Sequence, residues 1–66
     1  MRNRHMTTDL FHVVTWNTNG QQDMQRGAWF WTRPEAEQRA AQIQEVMGAR
    51  LGITIATTTE CQRLGI

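Results

Sequence analysis

Tryptophan and arginine are the residue types in this chain best suited to recognition. Trp16, Trp29 and Trp31 are accompanied in sequence by Arg26 and Arg33. Both residue types are enriched at the centres of protein interfaces, where they bury a large area and still offer polar groups. The same side chains can stack on the bases of single-stranded nucleic acid. These five residues are therefore the candidate partner-binding residues.

No group of residues predicts catalysis or metal binding. His12 lies in a β-rich stretch with no identifiable nucleophile or orienting acid, so a structural role is expected. Cys61 has only Arg63 beside it as a positive charge, which is too little to activate a thiol. The two histidines and the lone cysteine lack zinc-ligand spacing, and no glycine-rich phosphate loop occurs. We expect no enzyme activity, no metal and no cofactor.

Two predicted strands carry the tryptophans. Residues 10–16 are rich in β-branched and aromatic side chains, and they lead to Asn19-Gly20, the dipeptide typical of a two-residue hairpin turn. The second strand should return over residues 24–31. A two-residue turn pairs Trp16 with Asp23 and Leu10 with Trp29, whereas a longer loop changes the register. The first register places one set on one face (Leu10, Val14, Trp16, Trp29, Trp31) and a second set on the other (Phe11, Val13, Thr15, Met24, Phe30).

A helix and a third strand should follow the hairpin. Thr32 and Glu35 have the spacing of a capping box, and Pro34 falls in the first turn, where a missing N–H costs nothing. The helix is predicted over residues 33–50, with Gly52 favoured over Gly48 as its terminator. Residues 53–59 alternate like a strand and include three consecutive threonines, which we interpret as part of an edge strand.

These elements predict an α+β fold of the order ββαβ, a small, mostly antiparallel three-stranded sheet with one helix on one face. The first strand is apolar on both sides, which favours the sheet order 2-1-3 over a parallel placement beside strand two. We expect a flexible segment at residues 1–9, a single domain at 10–60 and a tail at 61–66. One helix covers one face, so the other face should remain open as an interaction surface.

Composition narrows the classes of partner. The formal net charge is +1, which argues against a dedicated duplex-DNA binder. A chain of 66 residues has a thin core, and its single cysteine allows no internal disulfide, so self-association or partner binding is expected. The sequence contains no signal peptide and no apolar stretch long enough to cross a membrane, so we expect no membrane partner and a cytoplasmic location.

The size and the hairpin–helix–strand order resemble those of small accessory proteins of bacteria and phages. Some of these inhibit host complexes, including CRISPR defence complexes, by covering a binding surface. The resemblance implies a non-enzymatic protein–protein interaction module, acting through an aromatic sheet face or a sheet edge, on a host protein or as a homodimer. The alternative is a module that binds single-stranded nucleic acid by stacking bases on Trp and Arg.

Overall fold

A three-stranded antiparallel sheet forms the centre of the structure, a computed structural model that describes residues 9–18 and 23–66. The strands are β1 (Phe11–Asn17), β2 (Gln25–Phe30) and β3 (Leu51–Thr57), in the order β2-β1-β3. The helices are α1 (Arg33–Met47) and α2 (Thr58–Leu64), and a 3₁₀ turn spans Gly48–Arg50. The predicted α+β class and the sheet order 2-1-3 are confirmed. The predicted turn at Asn19-Gly20 lies outside the described residues.

The pairing of β1 with β2 contains a β-bulge that the sequence-based register lacked. Trp29 lies opposite His12, but Arg26 lies opposite Val14, so two residues of β2 face the single residue between His12 and Val14. The prediction that Trp29 pairs with Leu10 is therefore wrong. On the turn side of the bulge, Thr15 pairs with Gln25, one residue away from the register that a Trp16–Asp23 pair would set. This shift places Met24 on the face opposite to the predicted one, where it packs against the cluster of Val14, Ala56 and Cys61.

Helix α1 begins as predicted and ends earlier. The Glu35 carboxylate accepts from the Thr32 amide at 3.3 Å and from the Thr32 hydroxyl at 2.9 Å, so the capping box is present. The helix ends at Met47 because Gly48 adopts a φ of 66°, which side chains other than glycine rarely tolerate. The prediction that Gly52 ends the helix is wrong, since Gly52 lies inside β3.

The C-terminal segment is a helix where the sequence predicted strand and tail. The Thr57 hydroxyl accepts from the Glu60 amide at 3.2 Å, and the Glu60 carboxylate accepts from the Thr57 amide at 2.8 Å. This second capping box turns the chain out of β3 and into α2. The three threonines therefore start a helix instead of extending an edge strand, and residues 61–66 pack onto the sheet through the fully buried Cys61.

The two helices lie on opposite faces of the sheet. Val13 and Val14 are both fully buried, and successive residues of a strand point to opposite faces. Val14 packs with Ala56 of β3 and Cys61 of α2, so α2 covers its face, and α1 contacts the sheet from the other side with Ala36 buried. The expectation that one whole face lacks a cover is therefore wrong. No helix within the described residues is long and apolar enough to span a bilayer.

Candidate functional site

Trp29 and Trp31 form an exposed aromatic pair at the β2 edge of the sheet. Their rings meet edge to face, with centroids 5.6 Å apart and an angle of 89° between the ring planes. Trp29 is 50% exposed and Trp31 is 65% exposed. A side chain of this size normally buries most of its surface on folding. The pair therefore leaves a large apolar area in contact with water.

The topology explains why this area is open. Helix α2 packs on β3 and β1, and β2 lies on the far side of β1. Trp29 faces the α2 side of the sheet because it lies opposite His12, on the face that Val14 shares. Phe30 points the other way and is half-buried beneath α1. The short α2 thus stops before it reaches the tryptophans.

Arg26 lies on the same face of β2 as Trp29, because it is opposite Val14. Its side chain is exposed, and no acidic residue in the described part of the chain forms an ion pair with it. Its positive charge also acts on two buried groups. It lowers the pKa of His12 further than burial alone does, and it partly offsets the rise that burial causes in the pKa of Cys61. We call Arg26, Trp29 and Trp31 together the tryptophan surface.

Trp16 lies apart from this surface. It is four residues along β1 from His12, the residue opposite Trp29, which corresponds to roughly 13 Å of strand. Its indole covers Gly52 so closely that a β-carbon there would overlap the ring. Trp16 also packs against the cluster of Val14, Ala56 and Cys61. The structure therefore places Trp16, which is partly buried, against the core on the α2 face of the sheet.

Arg33 is on the other face of the sheet. Its guanidinium carbon is 5.4 Å from the centroid of the Phe11 ring, within cation–π range. Arg39 makes the same kind of contact with Phe30 at 5.7 Å. Both arginines thus help to hold α1 against the sheet. Of the five candidate residues, the structure brings together Trp29, Trp31 and Arg26, and it separates Trp16 and Arg33 from them.

His12 is buried and joins β1 to the start of α2. Its Nε2 lies 2.8 Å from the Thr58 hydroxyl, which also accepts from the Leu10 amide at 3.0 Å. Its Nδ1 is buried and has no hydrogen-bond partner among the described residues. Burial and then the Arg26 charge lower the pKa of His12, while Asp9 acts in the opposite direction. His12 is therefore a neutral imidazole with a structural role.

Cys61 is fully buried in the same layer. Burial raises the pKa of its thiol, Arg26 opposes that shift, and the Glu60 charge adds to it. A protonated thiol without solvent access is a poor nucleophile. Among the residues that the structure describes, no three His, Cys, Asp or Glu side chains are close enough to hold a metal ion.

A groove beside β3 was not predicted from the sequence. It lies where β3 meets α2, and its lining comprises Thr54, Ile55, Ala56, Glu60, Arg63 and Leu64. The groove forms only because α2 packs beside β3. The spacing of Thr57 and Glu60 in the sequence is the signal that could have predicted that helix.

Comparison with protein-family models, with curated proteins and with solved structures finds no match to this chain. The function proposed below therefore rests on the physical properties of the protein's surfaces.

Proposed function

We propose that this chain is a non-enzymatic protein–protein interaction module that binds its partner through the tryptophan surface. The observation that carries the proposal is the half-exposed, edge-to-face pair of Trp29 and Trp31. Such a module acts by covering a surface of the partner, and inhibition of a host complex is the specific form that the resemblance to small bacterial and phage accessory proteins implies.

The exposed area of the two indoles is large enough to anchor a partner. Covering the exposed parts of both rings would remove roughly 200 Å² of largely apolar surface from water, about 5 kcal/mol before the cost of association. Most of the binding energy of an interface usually comes from a few large side chains, and the two tryptophans could serve as such residues. Their mutual contact also restricts their rotamers before binding, which reduces the entropy lost on association.

Arg26 favours a partner with acidic groups next to an apolar anchor. Its guanidinium is exposed on the same face as Trp29, and no described carboxylate neutralises it. A carboxylate on the partner could pair with it in a charge-assisted geometry. Arg26 also supports the alternative function, because single-stranded nucleic acid offers both phosphates and bases to an arginine beside indoles.

The test compares proteins captured from extracts of the source cell. The bait variants are the wild type, the double variant Trp29→Ser/Trp31→Ser, and Val46→Ser. Val46 is the matched control, because it is 83% exposed on α1, away from β2. We expect the wild type and Val46→Ser to retain the same proteins and the double variant to lose them. Proteins retained equally by all three baits would contradict the proposal.

Salt and nuclease treatment separate the two candidate functions. Binding to single-stranded nucleic acid weakens steeply as salt rises, because counterions are released on binding. An apolar anchor with one arginine should depend weakly on salt and should survive nuclease digestion of the extract. If nuclease treatment abolishes capture, the partner is nucleic acid and the proposal of a protein partner is contradicted.

A further inference from the structure

Strand β3 forms an open sheet edge that lacks the features that usually prevent edge pairing. Within the described residues no strand lies beyond it, and residues 52–56 make no backbone hydrogen bonds apart from those with β1. Its register with β1 is unbroken from Phe11↔Thr57 to Asn17↔Leu51. It contains no charged residue and no proline. Edges of this kind readily pair with another strand.

The other edge of the sheet is protected. Strand β2 carries the charged Arg26 and a bulge, and both features hinder strand addition. The contrast between the two edges therefore directs any strand pairing to β3. It also assigns separate roles to the two sides of the sheet, since the tryptophan surface is on β2.

The side chains of β3 are self-complementary about Thr54. An antiparallel copy centred there places Thr54 opposite Thr54 of the second copy and Ile53 opposite Ile55 of the second copy. Cross-strand Thr–Thr and β-branched apolar pairs stabilise antiparallel sheets. On the α2 face, Gly52 meets Ala56 of the second copy, so small side chains allow close approach beside the helices.

Helix α2 provides matching charges beside this edge. Glu60 and Arg63 line the groove next to Thr54 and Ala56, and Leu64 beside them is 51% exposed. A two-fold axis perpendicular to the sheet and midway between the two Thr54 residues makes the two α2 helices antiparallel neighbours on the same face. Glu60 of one chain then lies on the side of α2 that faces Arg63 of the other chain. The exposed Leu64 side chains of the two chains gain an apolar contact.

We infer that this edge binds a second copy of the chain, forming a continuous six-stranded sheet in which two β3 strands pair about Thr54. The resulting dimer has both tryptophan surfaces on the same face, on outer strands that lie roughly 24 Å apart across the sheet for five strand spacings of about 4.8 Å. A partner with two sites at that spacing would be bound with higher avidity than by a single chain.

Charge-swap variants at Thr54 test this arrangement, because the residue is exposed in the single chain and meets itself in the pair. Light scattering should give twice the monomer mass for the wild type. Thr54→Lys and Thr54→Glu place like charges opposite each other, so each variant alone should be a folded monomer. Their equimolar mixture should recover the doubled mass. Gln25→Lys, an exposed substitution on β2, is the matched control and should remain a dimer.

A cross-link provides a second readout that does not depend on those charges. Directly opposed residues of antiparallel strands have Cα atoms about 4.5–5.5 Å apart, within the range of a disulfide. Thr54→Cys should therefore form a covalent dimer under mild oxidation, whereas the wild type, with Cys61 buried, should not. A monomeric wild type, a dimer insensitive to Thr54→Lys, or no cross-link through Thr54→Cys would overturn the inference. None of these results bears on the tryptophan surface.

Discussion

His12 shows how a single buried residue couples the fold to pH. The folded structure surrounds the imidazole with the Thr58 hydroxyl, the Arg26 charge and the opposing Asp9 charge, and among the described residues Nδ1 has no partner. Burial is the main cause of the lowered pKa. The unfolded chain therefore binds the proton more readily than the folded chain does. The stabilising effect of neutral His12 is complete above the unfolded pKa of about 6.5 and is lost as pH falls toward the lower folded value.

We expect the free energy of unfolding to decrease between about pH 7 and pH 5, with a steeper slope for the wild type than for His12→Gln. The glutamine amide can replace Nε2 in the bond with Thr58 but does not titrate. Urea denaturation at several pH values, followed by far-UV circular dichroism, measures both slopes. Identical slopes would mean that other groups cause the acid sensitivity.

Element-scale packing gives Trp16 and Gly52 complementary roles. The indole occupies the space that a side chain at Gly52 would need, on the face that α2 covers. An aromatic ring over a glycine in a neighbouring strand restores the apolar contact that the glycine lacks. The pair therefore fixes the end of β1 against β3 and helps to seat α2.

Gly52→Ala should destabilise the protein by about 1–3 kcal/mol, because the new β-carbon forces the indole out of its position. Combined with Trp16→Ala, the same substitution should cost much less, because the overlap is gone. Denaturation of the two single variants and the double variant measures this coupling. Additive effects would contradict the close contact between the two residues.

Some elements of the fold could be predicted from the sequence, and others could not. The sheet order followed from the apolar character of β1 on both sides, and the start of α1 followed from Thr32, Pro34 and Glu35. The bulge beside Gly27 was not predictable from alternation, because it depends on a close backbone approach: a β-carbon at Gly27 would lie 3.2 Å from the Val13 carbonyl oxygen. Helix α2 differs from the bulge in this respect, since its capping box was visible in the sequence.

For the candidate site, the residue types were predictable and their grouping was not. Trp16, Trp29 and Trp31 looked equivalent in sequence. The first packs against the core beside α2, whereas α2 stops before the other two. Arg33 lies close to Trp31 in sequence, but the start of α1 directs its guanidinium to Phe11 on the opposite face. The separation depends on a short helix and a change of face, both of which are tertiary features.

Across the whole molecule, the two edges of the sheet present different kinds of surface. Helices on both faces bury Val13, Val14 and Cys61, so folding depends on the centre of the sheet. The β2 side presents the tryptophan surface, and the β3 side presents an uncharged edge. We therefore propose that Trp16 serves folding and that the exposed pair serves binding.

The free energy of unfolding tests this division most directly, because it needs no knowledge of the partner. We expect Trp29→Ser/Trp31→Ser to lose about 1 kcal/mol or less, chiefly the contact between the two rings. Trp16→Ala should lose about 3 kcal/mol, because it opens a cavity beneath α2. Urea denaturation of both variants and the wild type gives the comparison. If the double variant loses as much stability as Trp16→Ala, the exposed tryptophans serve folding, and the division between folding and binding residues is contradicted.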